Sequence, residues 1–369
     1  MRKTISIISV ALSLLLALVG CATVDTEVAT LNLTPADEIV KTHTDLQEQY
    51  LSGNYLNIGN FAKGIKELSF PQAVTLQWDS VVRATYKLEL SISQNFENSI
   101  IYTTTSPFYD VYNLYVGTQY FWRVSALVDG KVVAVSEVGT FTTADAAPRN
   151  LYVNGITNAR DLGGWTTSDG DKIKQGLLYR TGRLNTSWQP DVLSDITPFG
   201  IDTMRNVLGI KSEIDLRKDY ANEVSLMRES LLGKDINYYA CPMEFDRNVL
   251  GTDSVHGNTE MLKKVFSVLA DESNYPVFFH CDIGTDRTGM IAYLVLGYLG
   301  VNEEDIYRDY LFSNFARIGS SRDLGWANDC YIKMIKGSAG DTLSDKIENV
   351  LLGIGISADT LAAVREILL

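Results

Sequence analysis

The stretch that decides the fold of the second half of the chain is FHCDIGTDRTG, residues 279–289. Apolar runs lie on both sides of it, at residues 275–279 and 290–296. This pattern predicts a buried strand, a tight loop and a buried helix that begins near Thr288. The backbone amides of such a loop point at one spot beside the positive end of the helix, where an anion such as phosphate fits.

Four residues of this loop are suited to chemistry on a phosphate. Cys281 would lie beneath the phosphorus as a thiolate, since helix N-termini and nearby cations stabilise the ionised sulfur. Arg287 can bind two phosphate oxygens with its planar guanidinium, and Gly284 allows the tight turn. Thr288 could donate its hydroxyl to the sulfur. The other predicted substrate contacts are their neighbours in the loop: His280, Asp282, Ile283 and Thr285.

This loop, with histidine before the cysteine and Arg-Thr-Gly at its end, resembles the signature loop of cysteine-dependent phosphatases. Three upstream segments narrow the resemblance: N-x-R-D-L-G-G at 158–164, L-Y-R-T-G at 178–182 and D-L-R at 215–217. In content and order they are similar to a bacterial family of secreted, atypical tyrosine phosphatases, which act on phosphotyrosine and, in some members, on phosphoinositides. The resemblance covers roughly residues 149–320.

The resemblance implies a two-step reaction, in which Cys281 attacks phosphorus and water then hydrolyses the phosphocysteine. The leaving oxygen needs a proton from a general acid, and there are two candidates. Asp286 lies inside the loop, and the family is thought to use that aspartate, so we prefer it. Asp246 lies 35 residues before Cys281, about the distance found in phosphatases with a mobile acid loop.

The expected substrate is a phosphotyrosine protein, with inositol phosphates or phosphoinositides as the alternative. Several family members carry lysine before Asp-Arg, a feature linked to phosphoinositide activity, whereas this chain has Thr285. Two upstream arginines are further candidate substrate contacts with structural alternatives. Arg217 could order the phosphate or form an internal ion pair with Asp215, and Arg160 could act near the site mouth or serve a turn.

Another class of function is a surface-anchored binding lipoprotein with an inactive phosphatase domain, although the intact Cys281 and Arg287 argue against it. No cofactor and no metal are expected, because the chain has three histidines and no C-x-x-C pattern. The net charge of −13 makes nucleic acid an unsuitable partner. Cys241 and Cys330 are expected to be core thiols rather than a disulfide pair.

The chain is predicted to have two folded domains. Helical segments alternate with short apolar strands over residues 149–369, which predicts an α/β domain with a central, mainly parallel sheet flanked by helices. The resemblance implies that this is a tyrosine-phosphatase-like domain. Ligands bind such sheets at the carboxyl ends of the strands, and Cys281 follows one of them. Residues 64–145 alternate with period two, which predicts an all-β Ig-like sandwich.

The sandwich resembles a fibronectin type III module, with Trp78 on an early strand and tyrosine and tryptophan residues in segment 114–124. These aromatic side chains are expected in its core. Since the module has no cluster of titratable residues suited to catalysis, its expected role is spacing or the binding of a surface partner or glycan.

Residues 1–20 are predicted to be a lipoprotein signal peptide, with a positive start and an apolar run too short for a comfortable membrane span. They end Leu-Val-Gly before Cys21, which resembles the bacterial lipobox that directs lipid attachment to the cysteine sulfur. Several acyl chains would hold the protein on a membrane surface. We therefore expect an exported protein anchored to the cell envelope, at the outer membrane or cell surface, with residues 21–63 as a spacer.

Overall fold

The computed structural model describes residues 28–185, 195–218, 229–244 and 258–369. Within these ranges no helix combines the length and apolar character that a membrane span requires. The predicted signal peptide, the predicted lipid acceptor Cys21 and the candidate acid Asp246 lie outside the described residues. The described ranges fold into a β-sandwich and an α/β domain.

Ten strands form the sandwich: β1 Ala29–Leu31, β2 Leu33–Thr34, β3 Glu38–Val40, β4 Val74–Trp78, β5 Thr85–Ser91, β6 Ile100–Thr104, β7 Phe108–Val111, β8 Gln119–Val128, β9 Lys131–Ser136 and β10 Gly139–Thr143. The larger sheet runs β1-β9-β8-β10-β3, with β5 also on β8 and β6 on β5. The smaller sheet runs β2-β4-β7. The sequence pattern predicts one last strand over about 132–143, and this is wrong, because the chain turns after β9 so that β9 and β10 pair with β8 separately.

Period-two alternation builds the core between the two sheets. In β4 the three apolar residues are buried while the two polar residues between them are exposed. Trp122 of β8 is 0% exposed, and the ring centroid of Trp78 lies 5.3 Å from that of Tyr86. Trp78, Tyr86 and Trp122 are therefore packing residues, in line with the expectation that the tryptophan and tyrosine side chains lie in the core.

The described part of the predicted spacer, residues 28–63, does not behave as a spacer. Its first strands β1, β2 and β3 hydrogen-bond to β9, β4 and β10 of the sandwich. Thr34 before Pro35 is typical of a helix N-cap followed by the first helical residue, and it predicts a short helix to about Leu51, but the helix begins at Asp45, where Thr44 provides a capping box. Pairing of β3 with β10 accounts for the difference, because residues 38–40 are used in a sheet.

Residues 45–70, which we call the N-terminal arm, belong structurally to the α/β domain. The arm holds α1 (Asp45–Leu51), a 3-10 turn and a loop. Tyr50 of α1 is 0% exposed in the main core of the α/β domain, and its ring centroid lies 5.5 Å from that of Phe315. Leu68 N–H donates to the carbonyl of Phe315 at 2.6 Å. The chain therefore contributes first to the sandwich (β1–β3), then to the α/β domain (the N-terminal arm), then to the sandwich again (β4–β10), and finally to the α/β domain from residue 149 onward.

The α/β domain has one six-stranded sheet in the order β11-β12-β13-β16-β14-β15. The strands are β11 Arg149–Asn150, β12 Arg160–Asp161, β13 Leu178–Thr181, β14 Ser212–Asp215, β15 Asn237–Ala240 and β16 Val277–His280. The last four in the sheet order pair in parallel, while β11 and β12 are antiparallel additions at one edge. The expected mainly parallel sheet is present.

Helices cover both faces of this sheet. Phe279 of β16 packs into one hydrophobic cluster and Phe278 into another, and all four residues of β16 are buried. Burial on both faces is typical of a parallel strand. The helices are α2 Pro198–Asp202, α3 Thr259–Leu269, α4 Asp286–Tyr298, α5 Glu303–Phe312, α6 Gly325–Ala327, α7 Lys333–Lys336, α8 Leu343–Gly353 and α9 Ala358–Leu368, with π-helical turns at Thr203–Val207 and Asn328–Ile332.

Arg149 joins the two domains. Its guanidinium donates to a carboxylate oxygen of Asp161 at 2.8 Å and to the sandwich carbonyls of Leu114 and Asn113 at 3.1 and 2.5 Å. It also lies over the ring of Tyr115, 4.1 Å from the centroid. With Arg149 4% exposed, these contacts form a buried polar connection between the sandwich and the six-stranded sheet.

Candidate active site

The loop that follows β16 lies at the carboxyl edge of the parallel sheet. His280 is in register with Thr181 of β13 on one side and with Asp215 of β14 on the other, so the ends of three strands meet beside Cys281. Cys281 is 2% exposed, and α4 begins five residues later at Asp286. The structure therefore places the sulfur between a strand end and a helix N-terminus, as the sequence indicates.

Scaffold donors fix the peptide planes of this loop. Asn158 Nδ2 donates to the carbonyls of Ile283 and Gly284, both at 3.0 Å, and Arg180 Nη2 donates to Gly284 at 2.8 Å. Because a trans peptide holds its N–H opposite its C=O, the next amides point away from these donors. Gly284 has φ +73°, and a Cβ there would lie 2.5 Å from the carbonyl oxygen of Thr181. Only glycine fits this turn.

A buried ion-pair network supports the loop from below. Asp309 of α5 accepts from Arg160 Nε at 2.8 Å and from Arg180 Nη1 at 2.5 Å. Burial alone would raise the pKa of Asp309, but the two guanidinium groups outweigh it and the pKa is lowered. Burial, together with the neighbouring Arg160, lowers the pKa of Arg180 to about 10.

Arg160 is consequently not placed to contact substrate, which corrects its sequence-based assignment. It is 1% exposed, and its three guanidinium nitrogens donate within the network, including 2.5 Å from Nη1 to Asn158 Oδ1. Its neighbour Asp161 accepts from the backbone of Gly163 at 2.7 Å and pairs with Arg149. The alternative structural role of these residues is the one the structure displays.

His280 ties the loop to β14. One ring nitrogen, Nδ1, lies 3.0 Å from the carbonyl oxygen of Cys281, and Nε2 lies 2.9 Å from Glu213 Oε1. Burial would lower the pKa of His280, but the carboxylates of Asp215 and Glu213 raise it above the usual histidine value. A protonated His280 can donate at both nitrogens, so it holds the start of the loop as an orienting residue.

Arg217 forms the internal ion pair that was the alternative to substrate contact. It is 2% exposed, and its Nη2 lies 2.6 Å from Asp215 Oδ2, while Nη1 donates to Asn185 at 2.6 Å. Tyr238 also donates to Asp215 at 2.8 Å. Burial would raise the pKa of Asp215, but His280 and Arg217 outweigh it and lower the pKa to about 2.

Glu213, Asp215 and His280 offer ligand atoms within 4.8 Å of one another, an arrangement that could in principle hold a metal ion. Most of their polar atoms are already used: Nε2 of His280 faces Glu213 Oε1, and Asp215 accepts from the guanidinium of Arg217 and the hydroxyl of Tyr238. Glu213 Oε2 is buried and makes no hydrogen bond with any described residue. This set fits a protonated histidine between two carboxylates better than a cation, because Arg217 already supplies positive charge.

The remaining loop residues differ in their surroundings. Arg287, in the first turn of α4, is 5% exposed and its Nη1 donates to the carbonyl of Leu216 at 3.3 Å. The hydroxyl of Thr288 is buried and makes no hydrogen bond with any described residue, so the expected contact with the sulfur is not formed. Asp282 pairs with Arg183, whose N–H also donates to the carbonyl of Asp282 at 3.1 Å.

Asp286 lies at the mouth of the loop. Its side chain is 23% exposed, and Oδ1 is 3.6 Å from Nε of Arg322. Burial raises the pKa of Asp286, although Arg322 and Arg287 act in the opposite direction. A raised pKa favours the protonated carboxyl that a general acid needs near neutral pH.

Sequence reasoning missed Asp309, Glu213 and Arg322. The signal for Asp309 was present, because it lies three residues after Ile306 on a helix whose buried face holds Ile306 and Tyr310. A charged residue on an apolar helix face is buried and therefore paired. Glu213 lies in β14, whose four residues are all buried, so it is likewise a charged residue that needs a partner. Arg322 lies in an irregular segment without any pattern.

Comparisons with known proteins agree on one family, the tyrosine phosphatases. The profile of the tyrosine phosphatase family matches residues 151–364. A protein of Cupriavidus necator named as a candidate tyrosine-protein phosphatase is 30% identical over 176 residues, which is 45% of this chain and 63% of the relative. A tyrosine-protein phosphatase of Nostoc commune is 32% identical over 130 residues, 31% of this chain and 44% of the relative. The chain thus spans less than two thirds of the length of these curated relatives.

Solved structures with weaker overall similarity were also found. The core catalytic domain of the PP-IP phosphatase Siw14 from S. cerevisiae, in complex with citrate, has 17% identity and a TM-score of 0.28, covering 44% of this chain and 88% of that one. The fibronectin type III domain of a human protein has 24% identity and a TM-score of 0.18, covering 22% of this chain and 82% of that one.

Proposed function

The chain belongs to the tyrosine phosphatase family, and from this premise we propose that it hydrolyses phosphomonoesters through a phosphocysteine on Cys281. The observation that carries the proposal is the loop geometry. Cys281 lies at the carboxyl edge of the sheet, Asn158 and Arg180 fix the loop peptides, and Arg287 lies in the first turn of the helix that follows. Fixed N–H groups and a guanidinium stabilise charge on a transferring phosphoryl group.

In the first step the Cys281 thiolate attacks phosphorus, an S–P bond forms and the ester P–O bond breaks. The leaving oxygen takes a proton from the general acid, and Arg287 with the loop amides holds the equatorial oxygens. In the second step water attacks the phosphocysteine and gives its proton to the now ionised acid. The S–P bond breaks, which releases inorganic phosphate and restores the Cys281 thiolate and the protonated acid.

Asp286 is our choice for the acid. It adjoins Arg287, is partly exposed at the loop mouth, and burial raises its pKa. Asp246 remains the alternative outside the described residues. If Asp286 acts, Asp286→Asn should slow turnover of phenyl phosphate far more than of p-nitrophenyl phosphate, because only the poorer leaving group needs a full proton.

We propose phosphotyrosine in a protein as the substrate. The side chain at position 285, where several members of the family carry lysine, is a threonine that is fully buried, with Oγ1 3.4 Å from Asn158. It adds no positive charge for a second phosphate. A panel of phosphotyrosine peptides, phosphoinositides and inositol phosphates tests this, and a preference for an inositol compound would overturn the assignment.

The chemistry is tested by phosphate release from p-nitrophenyl phosphate in the presence of EDTA. Activity should persist with the chelator and disappear in Cys281→Ser. Cys330→Ala serves as the matched control, because Cys330 is a buried thiol of the helical core. Activity that survives Cys281→Ser, or that requires a metal, would contradict the mechanism, and a protein that turns over no phosphoester would favour a binding lipoprotein instead.

We also propose that the protein is exported and acylated on Cys21. The support is the sequence pattern of residues 1–21 alone. Expression in bacteria fed a labelled fatty acid should label the protein and place it in the membrane fraction, and Cys21→Ala should abolish both. Labelling that persists in the variant would place the acyl group elsewhere.

A further inference from the structure

Arg322 is the charged residue nearest to the proposed acid on the segment that follows α5. Its Nε lies 3.6 Å from Asp286 Oδ1, and the two side chains are 25% and 23% exposed. We call the loop of residues 281–287 the phosphate loop. We call residues 314–322 the rim segment, since it brings Arg322 to the mouth of the phosphate loop. Both groups are therefore accessible to a bound ester while remaining in contact with each other.

The position of Arg322 is built by its backbone as well as by its side chain. Asn314, which is 1% exposed, accepts from the N–H of Arg322 at 2.8 Å and donates from Nδ2 to the carbonyl of Arg322 at 2.9 Å. The Nη1 group of Arg322 donates to Ser320 Oγ at 2.6 Å. These contacts limit the freedom of the guanidinium beside Asp286.

The rim segment is in turn held by the phosphate loop and by the N-terminal arm. Ile318 packs with Ile283 of the loop in a small hydrophobic cluster. The N–H groups of Ile318 and Gly319 both donate to the carbonyl of Gly64 at 2.9 Å. Gly64 has φ +73°, and a Cβ there would lie 2.3 Å from the carbonyl oxygen of Ser320, so arm and rim segment are in close contact.

We propose that Arg322 is a positioning residue for the reaction, holding the carboxyl group of Asp286 at the loop mouth so that it reaches the leaving oxygen of the ester. This inference rests on the proposed function and on Asp286 as the acid. Arg322 acts through Asp286 and touches no reacting atom. A guanidinium with limited side-chain freedom, in contact with the carboxyl group whether it is protonated or ionised, keeps a catalytic carboxyl in one orientation, which is the condition for efficient proton transfer.

The positive charge of Arg322 also lowers the pKa of Asp286. Asp286 is faced by Arg287 on its own helix and by Arg322 on the rim segment, and its charge is also felt by the buried phenols of Tyr310 and Tyr331. Burial raises the pKa of Asp286 while the two arginines lower it. Removing Arg322 therefore lets the pKa of Asp286 rise further, so the acid stays protonated to higher pH.

The test compares Arg322→Met and Arg322→Lys with the unaltered protein in pH–rate profiles on phenyl phosphate and p-nitrophenyl phosphate. In Arg322→Met we expect kcat for phenyl phosphate to fall about tenfold while p-nitrophenyl phosphate changes less than about twofold. The basic limb of kcat should move to higher pH by more than about 0.5 pH unit. In Arg322→Lys the basic limb should return to its original pH, because lysine restores the positive charge.

Arg205→Met is the matched control, since it removes one positive charge from an ion pair with Asp235 far along the chain from the loop. It should leave both profiles unchanged, and thermal denaturation checks that all variants are folded. A rise in KM with unchanged kcat and an unmoved limb would show that Arg322 binds substrate, which overturns the proposal. Intact profiles in both Arg322→Met and Asp286→Asn, with Cys281→Ser inactive, would overturn it too while leaving the proposed function standing.

Discussion

Replacing Tyr50 by alanine should destabilise the α/β domain although Tyr50 precedes the sandwich in the chain. The side chain is 0% exposed, and its ring centroid lies 6.0, 6.2 and 5.5 Å from those of Phe61, Phe312 and Phe315. Truncation of a large aromatic side chain in a packed core costs about 3–5 kcal/mol, through lost burial and the cavity left behind. With about 2–4 °C per kcal/mol for a domain of this size, the melting temperature should fall by about 10 °C.

Tyr50→Phe separates the hydroxyl from the ring. The hydroxyl donates to the carbonyl of Arg308 at 3.2 Å, and losing one such bond costs about 1 kcal/mol. Leu56→Ala is the control within the arm, because Leu56 is 64% exposed and its truncation should change stability by less than about 0.5 kcal/mol.

The assay is equilibrium urea unfolding followed by circular dichroism and by residual phosphatase activity. If Tyr50→Ala lowers the unfolding midpoint of the activity-bearing transition and Leu56→Ala does not, the arm is part of the α/β core. Equal midpoints for Tyr50→Ala and Leu56→Ala would refute the reasoning and return residues 45–63 to the role of a spacer.

Three further substitutions test the scaffold. Asp309→Asn leaves two buried arginines without their shared carboxylate and should lower the unfolding free energy by about 3–5 kcal/mol, measured in urea. Gly289→Ala places a Cβ 2.7 Å from the ring of Tyr310, so overpacking of about 1–3 kcal/mol and a lower kcat are expected, measured by thermal denaturation and p-nitrophenyl phosphate turnover. The pKa of Asp215 is about 2 in the folded protein, below its value in the unfolded chain. Ionisation of Asp215 therefore stabilises the fold above about pH 4 by about 2 kcal/mol, and this contribution is lost as the pH falls toward 2. Unfolding free energies measured across this range should decline less in Asp215→Asn than in the unaltered protein, whereas parallel declines would contradict this origin.

The phosphate loop was predictable because local rules agree there. The apolar runs on both sides of residues 279–289, Gly284 at the turn and the helix start all follow from short-range sequence, and the structure has β16, a positive φ and α4 in those places. The helix begins at Asp286, two residues before the predicted start, which is within the usual uncertainty of a helix boundary. Consistency across such levels is what makes a local prediction succeed.

The arm and the roles of the arginines could not be predicted in the same way. Tyr50 reaches Phe315 across 265 residues of chain, and nothing in the local period of residues 45–51 indicates which core α1 will join. The choice for Arg160 between substrate and structure depended on Asp309, which comes next to Arg160 only when α5 packs against α4 in the folded domain. Long-range pairing decides both, and a single sequence carries little information about it.

The proposed function requires a protein of net charge −13 to bind a phosphate ester, and the charge arrangement is compatible with this. The arginines around the loop are matched by buried or partly buried aspartates, so they contribute fixed geometry rather than a long-range positive field: Arg160 and Arg180 with Asp309, Arg183 with Asp282, and Arg217 with Asp215. In the proposed reaction, attraction for the phosphate dianion would then come from groups within contact distance, namely the oriented loop amides, the first turn of α4 and Arg287. Under the proposed function, such short-range binding would select for an ester whose phosphate enters the loop fully. If Asp286 is the acid and Arg322 positions it, replacing Arg322 should change turnover rather than affinity.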